Sequence, residues 1–242
     1  MKIIFYNMAY GTGMDGNWKN YVRKTWRFFW LPFDIMRDMV QTLKNENPDV
    51  ICLAEVDGGS FRARFRCQAR EMAQKLKLGF VQTASKYHPK SIWRWMHMVR
   101  KHHDAILSRR KGEFRMHHLK SGMKKLVQEY IVDGVSIFTV HLALLSKKVR
   151  QKQLKELAGI LKECPRPHIL CGDFNTLSGI EELTEFIKET KLQHLIQAPS
   201  FPSIKPYRYL DHFFASPDIK IRRAGTIPVT HSDHLPVFVE LA

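Results

Sequence analysis

The sequence predicts an α/β fold, with either one mixed β-sheet or two stacked sheets and with helices on the outside. Strand-like apolar runs alternate with amphipathic helical segments along all 242 residues. An Asp-Gly pair at 133–134 joins two of those runs into a β-hairpin. The chain is 44% hydrophobic, and no repeat, low-complexity tract or long linker divides it. We therefore expect residues 1–242 to form a single domain with a substantial core.

The predicted helices follow from apolar spacing and from residues that begin or end a helix. In FDIMRDMVQTLKNENP, apolar residues recur at 33, 36, 39, 40 and 43, and Pro48 ends the segment. Residues 60–79 predict a second helix, with Ser60 as its N-cap and Gly79 at its end. A third helix is expected between Ser146 and Pro165, and a short one near 180–189.

The predicted strands are the apolar or alternating runs between these helices. They comprise KIIFYN, DVICLAEV, HDAILSRR, EFRMHHL, the two arms of LVQEYIVDGVSIFTVHL, PHILCGD, RYLDHFFAS, IKIRRAG and LPVFVEL. Hairpins together with interleaved helices favour mixed sheets over purely parallel ones.

Six of the strand-like runs carry a polar side chain at or beside one end. These residues are Asn7, Glu55, His141, Asp173 with Asn175, Asp211, and Asp233 with His234. A buried charge is costly unless it is paired or binds a metal, so six such ends together predict a shared cleft. Carboxylates and amides suit a hard cation such as Mg²⁺ or Mn²⁺, and histidines suit general acid–base catalysis. Metal-assisted attack of water on a phosphoester fits this set best.

The motifs LAEV, VHL, GDFN and SDHLPV resemble those of the endonuclease/exonuclease/phosphatase superfamily, in that superfamily's order. The resemblance implies a four-layered α/β sandwich, in which two stacked mixed β-sheets are flanked by helices. It also implies that Glu55, with Asn7 and Asp233, holds the Mg²⁺ or Mn²⁺ ion.

Catalytic roles are likewise implied by the resemblance. Asp173 would activate water, and Asn175 would hold that water or the phosphate. His234, oriented by Asp211, would contact the phosphate. His141 is similar to the histidine in the branch that contains the deoxyribonucleases, sphingomyelinases and inositol phosphatases.

The sequence departs from the superfamily's pattern in two places. His103 and Asp104 stand where many relatives have Gly-Asn before Ala-Leu-Ser-Arg or a similar run, and Asp104 is a candidate to orient His141. Ala9 occupies a position where some relatives have an acid, which leaves one fewer carboxylate for a second metal.

The charge distribution predicts a polyanionic partner. The net charge is +16, and residues 86–125 hold twelve Lys/Arg against two acids. Such a field attracts nucleic acid or an anionic membrane surface. We favour nucleic acid as the substrate, with a phospholipid or inositol phosphate as the alternative, and no protein partner is implied. We expect Arg109, Trp93, Arg94 and Trp95 to contact the substrate.

The tryptophans at 18, 26 and 30 lie in a segment that interleaves aromatic and basic residues. Wound as a helix, residues 18–30 place Trp18, Tyr21, Val22, Trp26 and Phe29 on one side. This side could pack on the core, stack on bases of a nucleic acid, or lie on an anionic bilayer. No secretion signal is recognisable, so we expect a cytoplasmic protein that can attach peripherally to a membrane.

Overall fold

A computed structural model describes residues 1–86, 101–196 and 198–242, which form two six-stranded β-sheets with helices outside. The strands are β1 (Lys2–Asn7), β2 (Val50–Asp57), β3 (Phe80–Ser85), β4 (His102–Ser108), β5 (Glu113–His118), β6 (Leu126–Val132), β7 (Val135–His141), β8 (His168–Asp173), β9 (Gln193–His194), β10 (Asp211–Ala215), β11 (Ile221–Thr226) and β12 (Val237–Leu241). The helices are α1 (Trp18–Arg23), α2 (Phe33–Glu46), α3 (Gln68–Leu76), α4 (Lys147–Lys162) and α5 (Thr184–Thr190).

Both sheets are mixed and share a similar arrangement at their centres. The first has the order β11-β12-β1-β2-β4-β3, and the second β5-β6-β7-β8-β10-β9. In the first sheet, β1 is parallel to β2 and antiparallel to β12. In the second, β7 is parallel to β8, and β8 is antiparallel to β10. The parallel pairs direct the ends of β1, β2, β7 and β8 to one edge of the molecule.

Three apolar clusters separate four layers. Between the sheets, Phe5 and Cys52 of the first sheet pack in one cluster with Ile137 and Cys171 of the second. On the outer faces, α2 and α3 cover the first sheet, and α4 and α5 cover the second. This helix–sheet–sheet–helix arrangement confirms the predicted four-layered α/β sandwich. No helix in the described part of the chain has the length and apolarity needed to cross a membrane.

The predicted hairpin and the helix after Ser146 are both present. Asp133 and Gly134 adopt positive φ angles of 51° and 79°, as a two-residue hairpin turn between β6 and β7 requires. The Ser146 side chain accepts a hydrogen bond from the Val149 backbone N–H and so caps α4.

The helix predicted over 60–79 is wrong at both ends. At its start, the reason is that Asp57 binds the residues that would have formed the first turn. The buried Asp57 carboxylate accepts hydrogen bonds from the Ser60 hydroxyl at 2.6 Å and from the Arg62 Nε at 2.7 Å. This ion pair fixes residues 58–66 as a loop with one 3-10 turn at Phe61–Ala63, and α3 begins only at Gln68. The helix ends at Leu76, with Lys77 in the left-handed conformation.

The strand β3 is absent from the predictions, and residues 18–30 differ from the single helix considered there. The structure has the short helix α1 and then a 3-10 turn at Thr25–Phe28. Trp18, Val22, Trp26 and Phe29 are all exposed, so the interpretation that this side packs on the core is wrong.

Candidate active site

Strand alternation brings four of the predicted site residues to the end of the layer between the sheets. Along each strand, alternate residues face the same side. In β8, Ile169 and Cys171 face the inter-sheet core, so Asp173 continues that row. The same alternation places Asn7, His141 and Asp211 at the ends of the inward-facing rows of residues in β1, β7 and β10. His141 and Asp211 are the register partners of Asp173 on its two sides.

Glu55 reaches the same edge through a β-bulge. The pairing of β2 with β4 shifts between Leu53 and Val56, and both of those residues pack in the outer cluster. Glu55 is therefore the extra residue, with a φ of 55°. Asn175, which follows β8, has a φ of 52°. Left-handed backbone is uncommon outside glycine and concentrates at functional sites.

The glycine of the GDFN motif, Gly172, is required because a side chain would not fit at its position. A Cβ at Gly172 would lie 2.2 Å from the Val140 carbonyl oxygen of the neighbouring strand. No side chain fits there without displacing the backbone, so Gly172 allows β7 and β8 to carry His141 and Asp173 side by side.

Asp173 lies at the centre of the polar cluster. Its Oδ2 accepts a hydrogen bond from Asn7 Nδ2 at 3.0 Å and lies 3.4 Å from His141 Nε2 and 3.9 Å from His234 Nε2. Its Oδ1 accepts from the Asn175 backbone N–H at 2.9 Å. Burial, together with the nearby Asp211 charge, raises the pKa of Asp173 to about 6, although His234 opposes the shift. A carboxylate with a pKa near neutrality suits a general base.

His234 is held by Asp211. The Nδ1 of His234 lies 2.6 Å from Asp211 Oδ2, which also accepts from the Ser200 hydroxyl at 2.6 Å. Burial alone would lower the pKa of His234, but the Asp211 carboxylate, with Asp173 and Asp233, raises it to about 10. The imidazole is therefore protonated at neutral pH, and its Nε2 N–H is available to the cleft.

Two lysines that sequence reasoning missed flank His141. The buried Lys86 Nζ lies 3.3 Å from His141 Nδ1 and donates to Glu55 Oε1 at 3.3 Å. Lys124 contacts His141 Nε2 from the cleft side. Burial and these two ammonium groups hold the pKa of His141 well below its ordinary value, so the ring is neutral. Lys86 directly follows β3 and would have been found as one more polar strand end had that strand been predicted.

Asp104, the candidate to orient His141, does not have that role in the structure. Asp104 Oδ1 accepts from the Glu55 backbone N–H at 3.2 Å and lies 3.7 Å from Lys86 Nζ. Asp104 therefore supports the bulge at Glu55, and the group beside His141 Nδ1 is Lys86. The Lys86 and Lys124 charges also act on Glu55: against the effect of burial, they lower its pKa to about 2.

Tyr21 is a further cleft residue that the motifs did not indicate. Its hydroxyl donates to Asp233 Oδ2, while the Ser232 hydroxyl donates to Asp233 Oδ1 at 3.3 Å. Burial and the Asp233 charge raise the pKa of Tyr21, which stays protonated as a donor. The short helix α1 is thereby fixed to the loop that carries Asp233 and His234.

The donor set of the cleft fits a hard divalent cation. Glu55 is ionised, and its carboxylate is partly accessible from a cleft of about 430 Å³ that Asn7 and Asp233 also line. All three offer oxygen, the ligand atom that Mg²⁺ and Mn²⁺ prefer. Deeper in the site, single ligand atoms of Asp173, Asp211 and His234 lie within 4.8 Å of one another and could also hold a metal ion. Asp211 Oδ1 is buried without a hydrogen-bond partner in the described part of the molecule.

Of the residues expected to contact substrate, the structure describes only Arg109, which lies away from the cleft. Arg109 follows β4 at the end remote from Glu55, about 20 Å along the strand, where its Nε donates to the Pro48 carbonyl at 2.9 Å. Trp93, Arg94 and Trp95 lie outside the described residues.

The described part of the basic stretch, Lys86 and residues 101–125, does not form one surface. Lys86 and Lys124 belong to the cleft, whereas Arg110 lies at the opposite edge, paired with Asp133 in the β6–β7 turn. The described cations of this stretch are therefore divided between two ends of the molecule.

Comparison with known proteins gives the family to which the chain belongs. Residues 36–234 match the Endonuclease/Exonuclease/phosphatase family. A UPF0294 protein of Vibrio vulnificus is 31% identical over 131 residues, a match that covers 50% of this chain and 44% of that relative. The chain therefore spans less than half of the length of that curated protein.

Two solved structures from Bacteroides thetaiotaomicron share the fold. An endonuclease/exonuclease/phosphatase family protein gives a TM-score of 0.69 at 16% identity, over 100% of this chain and 94% of that chain. A mannosyl-6-phosphatase gives a TM-score of 0.66 at 16% identity, over 100% of this chain and 99% of that chain. These identities establish the fold alone. The family match, however, extends from α2 to His234 and includes Glu55, His141 and Asp173, and on that basis the chain belongs to the endonuclease/exonuclease/phosphatase family.

Proposed function

We propose that this protein is a divalent-metal-dependent phosphoesterase in which Asp173 activates the attacking water. The observation that carries the proposal is the surroundings of Asp173: a buried carboxylate with a pKa of about 6, flanked by His141 at 3.4 Å and His234 at 3.9 Å. A base of this strength can accept a proton near neutral pH and release it afterwards.

In the proposed reaction, water attacks phosphorus, Asp173 takes the water proton, and the bond to the leaving oxygen breaks. Asn175 holds the water or a phosphoryl oxygen in this proposal. Its fixed geometry supports the role, since its backbone N–H donates to Asp173 and its side chain donates to the Leu142 carbonyl at 3.0 Å. The protonated His234 donates to a phosphoryl oxygen and is oriented by Asp211. Lys124, beside the neutral His141, adds a second positive charge.

Glu55, Asn7 and Asp233 are the residues proposed to hold the metal ion. When bound, Mg²⁺ or Mn²⁺ would stabilise the negative charge that develops on the phosphoryl oxygens. Lys86 maintains the ionised state of Glu55, since its ammonium group lies 3.3 Å from Oε1.

The substrate is a phosphoester whose anionic group reaches this cleft. The net charge of +16 supports a polyanionic substrate, which was the basis for favouring nucleic acid. The division of the described cations, Lys86 and those of residues 101–125, between two ends of the molecule weakens that basis, because these cations alone do not outline a continuous groove for a nucleic-acid backbone. A phospholipid or inositol phosphate gains support from the exposed apolar side chains beside the cleft.

The test is turnover of bis(p-nitrophenyl) phosphate and p-nitrophenyl phosphate in Mg²⁺ or Mn²⁺, with a chelator as the blank. Asp173→Asn should lower kcat by about 10²–10⁴-fold. Asp218→Asn, an exposed aspartate after β10, is the matched control and should not change kcat. Equal turnover by the wild type and Asp173→Asn would reject the proposal. The ratio of diester to monoester turnover classifies the substrate bond.

A further inference from the structure

An exposed aromatic and basic surface lies beside the cleft. Its apolar members are Trp18, Val22, Trp26, Phe29, Trp30 and Phe65, and its cations are Lys19, Arg23, Lys24, Arg27, Arg64 and Arg66; we call this set the collar. Trp18 is 71% exposed and Phe65 is 75% exposed. Apolar side chains of this size rarely lie side by side in water unless a partner covers them.

The segments of the collar are held together by contacts between cations and rings. The guanidinium carbon of Arg64 lies 4.5 Å from the Trp30 ring centre and 3.9 Å from that of Phe33. The Arg27 guanidinium lies 5.5 Å from the Trp26 ring centre. Residues 18–30 contain four Lys/Arg and no acid, a charge balance that suits an anionic partner.

The collar is continuous with the cleft through α1. Tyr21 on this helix lines the cleft and binds Asp233, while Trp18 and Val22 on the same helix are exposed. Leu144 and Leu145, which follow β7, also line the cleft, and Leu145 is 94% exposed. A surface that covered the collar and Leu145 would therefore place its anionic groups at the cleft mouth.

We infer that the collar and Leu145 dock this protein on an anionic phospholipid bilayer, so that a lipid phosphoester faces the cleft; the lipid substrate rests on the proposed function. Tryptophan rings favour the headgroup region, and arginines attract anionic headgroups. The aliphatic Val22 and Leu145 decide between partners. They can enter the acyl boundary of a bilayer, whereas they offer a nucleic acid neither a stacking face nor a charge.

The experiment is co-sedimentation with phosphatidylcholine vesicles that contain or lack phosphatidylglycerol. The protein carries Asp173→Asn, so that no lipid is consumed. We expect sedimentation with the anionic vesicles and at least roughly tenfold weaker partitioning when Trp26→Ala and Trp30→Ala are combined. Leu145→Ser should also weaken the partitioning to the anionic vesicles. Met116→Ala, an exposed apolar residue on β5, is the matched control and should bind as the parent does.

Two results would overturn the inference. One is equal sedimentation of the parent and the double tryptophan variant. The other is a parent protein that does not sediment with the vesicles but binds DNA or RNA with an affinity that falls steeply with salt. Turnover of the soluble p-nitrophenyl esters by the same variants, without Asp173→Asn, separates the two proposals. Vesicle binding without turnover rejects the catalytic proposal alone, whereas turnover without vesicle binding rejects the docking surface alone.

Discussion

A buried ion pair between Arg150 and Glu182 joins the two loops that carry much of the cleft. Arg150 Nε and Nη2 donate to the two carboxylate oxygens of Glu182 at 2.9 and 2.8 Å, and both side chains are buried. The third guanidinium nitrogen donates to the carbonyls of Ala143 and Leu144, in the loop after β7. Glu182 also accepts from the Ser178 backbone N–H, in the loop after β8.

The substitution Glu182→Gln keeps the size of the side chain but leaves the Arg150 charge without its counter-ion. Breaking a buried pair in this way costs about 3–5 kcal/mol. Because glutamine can still accept one of the hydrogen bonds, we expect the free energy of unfolding to fall by about 3 kcal/mol, at the lower end of that range. The exposed pair Lys162–Glu189 has the same 2.8 Å separation, and Glu189→Gln should cost less than about 1 kcal/mol.

Urea denaturation at pH 7.5 of the wild type, Glu182→Gln and Glu189→Gln measures both effects. The dependence on pH gives a second readout. Burial raises the pKa of Glu182, but the hydrogen bonds from Arg150 and Ser178 outweigh it and lower the pKa below its ordinary value. The stabilisation is therefore complete above about pH 4.5 and is lost as the pH falls further. Equal losses in the two variants at pH 7.5 would refute the reasoning from burial.

Three other predictions concern buried groups. Burial lowers the pKa of His212 to about 3. As the pH falls below 6.5, the free energy of unfolding of the wild type should therefore decrease by about 1.4 kcal/mol per pH unit relative to that of a His212→Gln variant. Urea titrations measure this difference, and a difference that does not change with pH would contradict the prediction. Lys86→Met should lower the free energy of unfolding by about 3 kcal/mol and raise the pKa of Glu55, which a carboxylate NMR titration detects. Asp211→Asn should lower kcat by at least about 10²-fold and, because it removes the counter-ion of the buried His234, should also lower the free energy of unfolding by about 3 kcal/mol. An unchanged kcat would remove Asp211 from the mechanism.

Strand periodicity was sufficient to predict four residues of the candidate site, namely Asn7, His141, Asp173 and Asp211. In β1, β7, β8 and β10, the polar residue stands in the same alternation as the apolar residues that face the inter-sheet core. Asn7 and Asp173 therefore meet because their strands share a direction and an end. Alternation along a strand is a local property, which explains why it can be read from the sequence.

The errors arise where a long-range contact decides a local conformation. Residues 60–67 have a pattern suitable for a helix, but the buried Asp57–Arg62 pair fixes them as a loop. Arg109 follows a recognised motif, yet nothing in that motif indicates that β4 is antiparallel to β2 and carries Arg109 away from Glu55. Lys86 was missed because its strand, β3, is half-buried and lacks strict alternation.

The exposed state of residues 18–30 was also beyond the sequence. An aromatic stripe at helical spacing packs on a core in most proteins. Here only Tyr21 of that stripe is held at the cleft, against Asp233, while Trp18, Val22, Trp26 and Phe29 are exposed. The chemistry of residues 18–30, with tryptophans, arginines and no acid, is visible in the sequence.

The most direct test of the central claim is a titration of phosphodiester turnover with Mn²⁺, for the wild type and Glu55→Gln. Metal-dependent catalysis at this cleft predicts no turnover in the chelator and saturation as Mn²⁺ rises. Because Glu55→Gln removes an ionised carboxylate that opens to the cleft beside Asn7, it should raise the half-saturating Mn²⁺ concentration by at least about tenfold. Turnover that persists in the chelator, or identical titration curves for the two proteins, would contradict the account.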